Sequence, residues 1–291
     1  MSKSPDRIST NQPPASGLRA LKFSRDWVTR PVFGIVLALV VIAAIYGGTP
    51  YLATIVAVAV LAAAREWNRI VGEGGPAPEL VPTTAAIWLA LIAFILWPHG
   101  IVPYVVLLCG TFLVLALSMT RRSRPLWRAA GVLYLGIPSL AILALRELPE
   151  HGAWLIGALF AVVWATDTGA LVVGNLAGGP KLAPVLSPNK TWSGTIGGMV
   201  AAAVAEAIFI AIIGGHAGAA ALFGAGLAVF AHLGDLFESW VKRRFHTKDS
   251  GGLIPGHGGV LDRIDSTLFA VVALEIAVFV FHLDPLFGAS P

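Results

Sequence analysis

The chain has 291 residues, of which 56% are hydrophobic and 12% are charged, and its mean hydropathy is +0.79. A soluble domain carries about 25% charged residues because its surface faces water, so this composition predicts a polytopic membrane protein. The formal net charge of +4 does not indicate a nucleic-acid partner, since the positions of the charges along the chain explain it better. The single cysteine, Cys109, lies in an apolar run, which excludes a disulfide framework and predicts a buried thiol.

The first 30 residues form a polar, basic segment rich in Pro and Ser, and we predict that it is a cytoplasmic tail. Two interpretations remain open for Leu18–Trp27. It is either a short helix at the membrane interface, with Lys22 and Arg25 towards anionic headgroups, or part of a solvated tail.

Nine apolar runs follow the tail and predict an all-α, polytopic fold of about nine transmembrane helices. We expect residues 31–150 to form a supporting or dimerisation region and residues 151–291 to form a catalytic region with two cytoplasmic loops. The predicted spans are Pro31–Tyr46, Tyr51–Ala64, Pro82–Trp97, Ile101–Ser118, Ala129–Leu145, Ala153–Val173, Thr195–Ile213, Ala217–Leu233 and Val260–Phe281.

The positive charges fix an orientation for these spans. With nine spans and a cytoplasmic amino terminus, 18 of the 20 Lys and Arg residues fall on the cytoplasmic tail and loops. Cytoplasmic loops carry such an excess because positive residues resist translocation. The sequence therefore predicts that the amino terminus is cytoplasmic and that the carboxyl terminus lies outside.

The first long loop follows the sixth run and contains candidate phosphate ligands. Asp167 lies within an apolar helix, where an ionised carboxylate is costly, so it needs a partner, a water-filled cavity or a metal. Hydrogen bonds to neighbouring Thr or Ser side chains are the alternative. Ser187 and Lys190 precede the next predicted helix, and a helix amino terminus beside a lysine favours phosphate binding.

The second long loop, Gly234–Ser266, concentrates charge in a chain that otherwise has little. Asp235 and Glu238 are three residues apart and share one face of a helix, and Asp262 and Asp265 repeat this spacing. Carboxylates from separate helices, without a cluster of His or Cys, indicate a hard cation such as Mg²⁺.

Basic residues and glycines complete this loop. Lys242, Arg243, Arg244 and Lys248 predict a surface that binds phosphate groups, although contacts to lipid headgroups alone are an alternative. In the sequence IPGHGG the backbone can form an anion-binding nest, and we interpret His257 as a ligand contact rather than a structural histidine. Carboxylates beside phosphate-binding bases favour phosphoryl or nucleotidyl transfer at a membrane surface.

The segment Ser239–Asp265, SWVKRRFHTKDSGGLIPGHGGVLDRID, resembles the signature of the phosphatidate cytidylyltransferases, also called CDP-diacylglycerol synthases. The motifs DTGA, KLAP, SPNKT and GDLFES precede it in the order found in that family. The resemblance covers Trp164–Ser266, and Leu171 and Ser193 depart from common family residues. The first 150 residues resemble the family only in consisting of helical membrane segments.

The resemblance implies that CTP and phosphatidic acid react to give CDP-diacylglycerol and pyrophosphate. It also implies Mg²⁺, with K⁺ alongside, as cofactors. Because the predicted outside connections are very short, we expect the active site on the cytoplasmic side of a multi-pass protein of a bacterial-type inner (plasma) membrane, with a homodimer as one oligomeric state. The implied metal ligands are Asp235 and Asp262, followed by Asp265, Glu238 and Asp167. The implied catalytic residues are Asp235, Asp262, Lys190 and His257, and the implied substrate-binding residues are Ser187, Lys242, Arg243, Lys248 and Arg263.

Two other functions fit parts of the sequence. A polyprenol kinase would also use CTP on a lipid, but the long signature argues against it. A secondary transporter would use broken helices and intramembrane acids, but its repeats would place similar features in both halves, whereas the acids and glycines crowd the last 130 residues.

Overall fold

The computed structural model describes residues 38–73, 75, 78–98, 100–149, 151–251 and 258–283. The predicted tail, with Leu18–Trp27, and the predicted ligand His257 lie outside these residues. The described part contains nine helices and one β-hairpin. In chain order they are α1 (Ala38–Gly47), α2 (Thr49–Val71), α3 (Leu80–Leu96), α4 (Val102–Thr120), α5 (Pro125–Arg146), α6 (Gly152–Ala177), β1 (Lys181–Ala183), β2 (Ser187–Thr191), α7 (Trp192–Ile212), α8 (Ala217–Arg244) and α9 (Leu261–Phe279).

The helices have the length and surface of a membrane protein. Six of those described, α2 and α4 to α8, are long and apolar enough to cross a bilayer, whereas α1 and α3 are shorter. Large apolar side chains point outwards, for example Leu222 at 79% and Ile212 at 77% exposure. Helices with such surfaces bury their backbone polar groups internally and present apolar side chains to lipid. The predicted all-α membrane fold is confirmed, and the number of spans stays a prediction.

Helix α5 lies at the centre of the bundle. Of its most apolar stretch 72% is buried, against 22–33% in the other five long helices. Trp67 of α2 is fully buried against it, with its indole N–H donating to the Trp127 carbonyl at 2.9 Å and its ring 5.0 Å from that of Tyr134. Helix α5 therefore connects the first helices of the chain to α8 and α9.

Long-range hydrogen bonds define two ends of the bundle. At one end, Arg146 Nε donates to the Ile45 carbonyl at 2.6 Å, and the Tyr104 hydroxyl donates to Glu275 at 3.2 Å. The other end gathers the carboxyl ends of α2, α6 and α8 with the start of α9, and we call it the polar end because the predicted site residues lie there.

Three details differ from the sequence expectations. Cys109 is exposed on α4, so the prediction of a buried thiol is wrong. Helices α2 and α8 continue past their apolar runs to Val71 and Arg244, because their last turns are polar but still packed in the bundle. Strands β1 and β2 form an antiparallel hairpin with Lys181 opposite Thr191, which hydropathy does not indicate.

Candidate active site

The hairpin places Lys190 directly before α7. Thr191 is the amino-terminal cap of α7, and its hydroxyl accepts a hydrogen bond from the Gly194 amide at 3.1 Å. Gly178 and Gly179, with φ of 59° and 104°, make the turn that leads from α6 into the hairpin. The helix start predicted after SPNKT is confirmed, and it holds Lys190 over the neighbouring helix α8.

Lys190 forms an ion pair with Asp235 of α8. Asp167, which is exposed on α6, experiences the charges of Asp235, Lys190 and Arg263. Asp265 of α9 is buried and experiences the charges of Asp235, Asp167 and Lys190. Carboxylates from three helices therefore share one electrostatic environment, with Lys190 among them.

A second group of charges lies one turn further along α8. The Lys242 ammonium forms ion pairs with Glu238 and, at 2.8 Å, with Asp262 Oδ1 at the start of α9. Asp262 Oδ2 accepts a hydrogen bond from the Gly259 amide at 3.0 Å. Glu238 is only 1% exposed, and its Oε1 accepts no hydrogen bond from the described residues.

Helices α8 and α9 touch at a glycine directly before Asp235. A Cβ at Gly234 would lie 2.3 Å from the Asp265 carbonyl oxygen, far inside van der Waals contact. A glycine lets two helix backbones approach this closely. The contact fixes the distance between Asp235 on one helix and Asp265 on the other.

The remaining predicted site residues lie around this cluster. Ser187 is half-buried in β2, and Arg243 Nε donates to the Leu186 carbonyl of the hairpin at 3.4 Å. Lys248 and Arg263 are exposed. Within the predicted IPGHGG nest, the Gly259 amide is already bonded to Asp262, and residues 252–257 lie outside the described part.

The carboxylates Asp167, Asp235, Glu238, Asp262 and Asp265 fit a hard divalent cation in their donor chemistry, because all are oxygen ligands. The unpartnered Oε1 of buried Glu238 and the excess of carboxylates over nearby ammonium groups support this fit. In the described residues no three acidic, His or Cys side chains are arranged around one point as metal ligands. Lysine ammonium groups contact Asp235, Glu238 and Asp262 instead.

Three residues of this region were not predicted from the sequence. His232 Nε2, one turn before Asp235, donates to the Thr195 carbonyl at 3.3 Å, and Ser250 is buried beside Glu66. Glu66, at the end of α2, contacts the start of α9. The only local signal for Glu66 is a carboxylate just after Arg65, where an apolar run ends, and a helix end that faces water shows the same pattern.

The fold and the site together define a class: a helical membrane protein with carboxylates and lysine side chains gathered at one end of its bundle. The model of the cytidylyltransferase family matches residues 28–281, which is most of the chain. The chain belongs to the cytidylyltransferase family.

Curated relatives agree with the family match. A phosphatidate cytidylyltransferase of Brucella suis biovar 1 (strain 1330) is 48% identical over 157 residues, which cover 53% of this chain and 58% of the relative. One of Staphylococcus saprophyticus is 37% identical over 174 residues, 58% of this chain and 67% of the relative. One of Rickettsia conorii is 37% identical over 189 residues, 62% of this chain and 81% of the relative.

Proposed function

We propose that the protein transfers the cytidylyl group of CTP to phosphatidic acid, giving CDP-diacylglycerol and pyrophosphate, in a Mg²⁺-dependent reaction at the cytoplasmic face of the membrane. The observation that carries the proposal is the meeting of carboxylates and lysines from α6, β2, α8 and α9 at the polar end. The family match and the names of the relatives support the choice of substrates.

In this reaction a phosphate oxygen of phosphatidate forms a bond to the α-phosphorus of CTP. The bond from that phosphorus to the bridging oxygen of the β-phosphate breaks, and pyrophosphate leaves with the electron pair. Lys190 and Lys242 would orient the phosphates, because ammonium groups make strong hydrogen bonds to phosphate oxygens. No covalent enzyme intermediate is required, since positioning and charge stabilisation account for most catalysis of this kind.

Asp235 and Asp262 would hold the divalent cation, with Asp265, Glu238 and Asp167 as further ligands, direct or through water. When bound, such a cation stabilises the negative charge that develops on the transferred phosphate. The ion pairs of Lys190 with Asp235 and of Lys242 with Asp262 have a consequence for binding. Metal and phosphates would bind together, because each ammonium released from a carboxylate becomes free to contact a phosphate.

An apolar groove beside the cluster is suited to the lipid substrate. It has a volume of about 370 Å³ and lies between α5, α8 and α9. The Tyr134 hydroxyl is buried without a hydrogen-bond partner among the described residues, and the charges of Asp265 and Glu238 act on it. The groove therefore starts at the cluster and runs along apolar side chains. They are Leu133, Tyr134, Ile137, Pro138, Phe230, Leu268, Phe269, Val272, Ala273 and Ile276.

The reaction itself is tested with purified full-length protein in detergent, phosphatidic acid and CTP labelled in its α-phosphate. We expect label to enter the lipid phase with Mg²⁺ and to stay in the aqueous phase with excess chelator. Label that enters polyprenol but not phosphatidate would replace this function with a kinase or transferase for another lipid. Folded protein that labels no lipid would overturn the proposal.

Filling the groove tests the route of the lipid. Ala273→Trp is expected to raise the KM for phosphatidate about tenfold, because excluding two methylenes from an apolar site at about 0.8 kcal/mol each has that effect. The KM for CTP is expected to stay unchanged. Ala211→Trp, on the exposed surface of α7, is the matched control. Equal effects of the two variants on phosphatidate, or an equal rise in both KM values for Ala273→Trp, would show that this groove does not hold the acyl chain.

A further inference from the structure

Glu66 of α2 binds the start of α9 across almost 200 residues of sequence. Its Oε1 accepts a hydrogen bond from the Val260 amide at 3.0 Å, and its Oε2 accepts one from the Leu261 amide at 2.7 Å. The Ser250 hydroxyl lies 3.4 Å from the same Oε2. Glu66 is 2% exposed, so these donors replace its contacts with water.

The pairing is favourable for both partners. The first amides of a helix have no acceptor within the helix, and together they give its amino terminus a partial positive charge. A buried carboxylate is costly unless it is hydrogen-bonded. Glu66 therefore supplies from another helix the acidic cap that α9 lacks, since Val260 at the capping position makes no side-chain hydrogen bond.

The glycines on both sides of residues 252–257 leave space for this carboxylate. A Cβ at Gly251 would lie 2.6 Å from Glu66 Oε1, and one at Gly259 would lie 2.7 Å from Oε2. Both distances are too short for real contacts, and a Cβ at Gly259 would also lie 1.9 Å from the Ser250 hydroxyl oxygen, so any other residue at either position would displace these groups. Part of the glycine-rich sequence thus serves an internal carboxylate.

The contact continues into the candidate active site. Asp262 follows Leu261 directly, and its carboxylate accepts from the Gly259 amide at 3.0 Å and pairs with Lys242 at 2.8 Å. The backbone that Glu66 holds is therefore the backbone that sets the position of Asp262. Helix α2, whose sequence does not resemble the catalytic motifs, reaches the site through this one side chain.

We infer that Glu66 is a positioning residue: it holds the first turn of α9 so that Asp262 faces Lys242 and Glu238 in the geometry the reaction needs. The inference rests on the proposed function for its catalytic consequence. Its structural part, the fixed start of α9, does not depend on which reaction the protein performs.

The test compares Glu66→Gln and Glu66→Asp with wild type in the full-length protein. Glu73→Gln is the matched control, because Glu73 lies just beyond the end of α2 and is about half exposed. In Glu66→Gln an NH₂ group faces an amide donor, so hydrogen exchange of residues 258–262 is expected to rise about tenfold or more. We expect kcat to fall by a factor of about 10 to 100, since displacement of a catalytic group by about 1 Å has effects of that size. The KM for phosphatidate should change little, and the Mg²⁺ concentration for half-maximal rate should rise.

Glu66→Asp keeps the charge and is expected to retain more protection and more activity than Glu66→Gln. If Glu66→Gln fails to fold, the same measurements on Glu66→Asp test whether Glu66 positions the start of α9. Unchanged exchange of residues 258–262 would overturn the inference, and so would raised exchange with unchanged kcat and unchanged Mg²⁺ requirement. Wild-type protein that transfers no cytidylyl group would overturn the proposed function instead. The comparison of hydrogen exchange between wild type and variants would still show whether Glu66 fixes the start of α9.

Discussion

Asp262→Asn is expected to lower the rate of cytidylyl transfer by a factor of about 10² to 10³, the range found when one group that stabilises transition-state charge is removed. Asp262 joins three parts of the site, because it accepts from the Gly259 amide, pairs with Lys242 and lies in the first turn of α9. An Asn side chain has the same size but no charge. The substitution removes both a proposed metal ligand and one of the two carboxylates that pair with Lys242.

Asp235→Asn is expected to lower the rate of cytidylyl transfer by a factor of the same order. Asp235 pairs with Lys190, and its charge acts on Asp167 and Asp265. The measurement is transfer of α-labelled CTP into lipid over a range of Mg²⁺ concentrations. Glu73→Gln, also a change from carboxylate to amide at the polar end, is expected to keep the wild-type rate, as its exposed pair with Arg124 lies outside the cluster. Full activity after either Asp substitution would leave the function standing but remove that residue from the proposed metal ligands.

The helices were predictable because lipid imposes a strong and local rule on sequence. A span must be apolar over most of its length, so the run Ala129–Leu145 located α5 (Pro125–Arg146) to within a few residues. The rule fails where a helix continues among other protein groups instead of lipid. For this reason the apolar run that locates α8 ends at Leu233, whereas the helix continues to Arg244 and carries Asp235, Glu238 and Lys242 on its last turns.

The sequence indicates which charged residues to examine as a site, but it does not indicate how they pair. Charged residues in an apolar chain are conspicuous, and their spacing on a helix suggests a shared face. Sequence spacing does not show, however, that Lys190 contacts Asp235 while Lys242 contacts Asp262, because these pairs depend on how separate helices pack. Glu66 is the extreme case: its donors lie 184 to 195 residues away, and no local pattern connects them.

Arg128 was expected on a loop but lies buried in the first turn of α5. The sequence groups it with Arg121, Arg122 and Arg124 as positive charges of a cytoplasmic loop. In the structure its side chain is 3% exposed, lies 3.3 Å from the fully buried Glu79, and donates to Asn68 Oδ1 at 2.7 Å. It therefore connects α5 to α2 and to the start of α3.

Arg128→Met is accordingly expected to destabilise the fold by about 3–5 kcal/mol, because it removes the buried charge partner of Glu79 and leaves only the 45% exposed Arg121, 3.8 Å away. Arg121→Met is the matched control: Arg121 also faces Glu79, at 3.8 Å, but it is 45% exposed, and such pairs contribute about 0–1 kcal/mol. The double change Arg128→Met with Glu79→Met should recover much of the loss, since no buried charge of this pair then remains unpaired. The stability of the two single variants and of the double variant is measured as the midpoint of thermal unfolding in detergent. Similar shifts for Arg121→Met and Arg128→Met, or a double variant less stable than Arg128→Met, would show that burial of this pair does not govern the stability of the polar end.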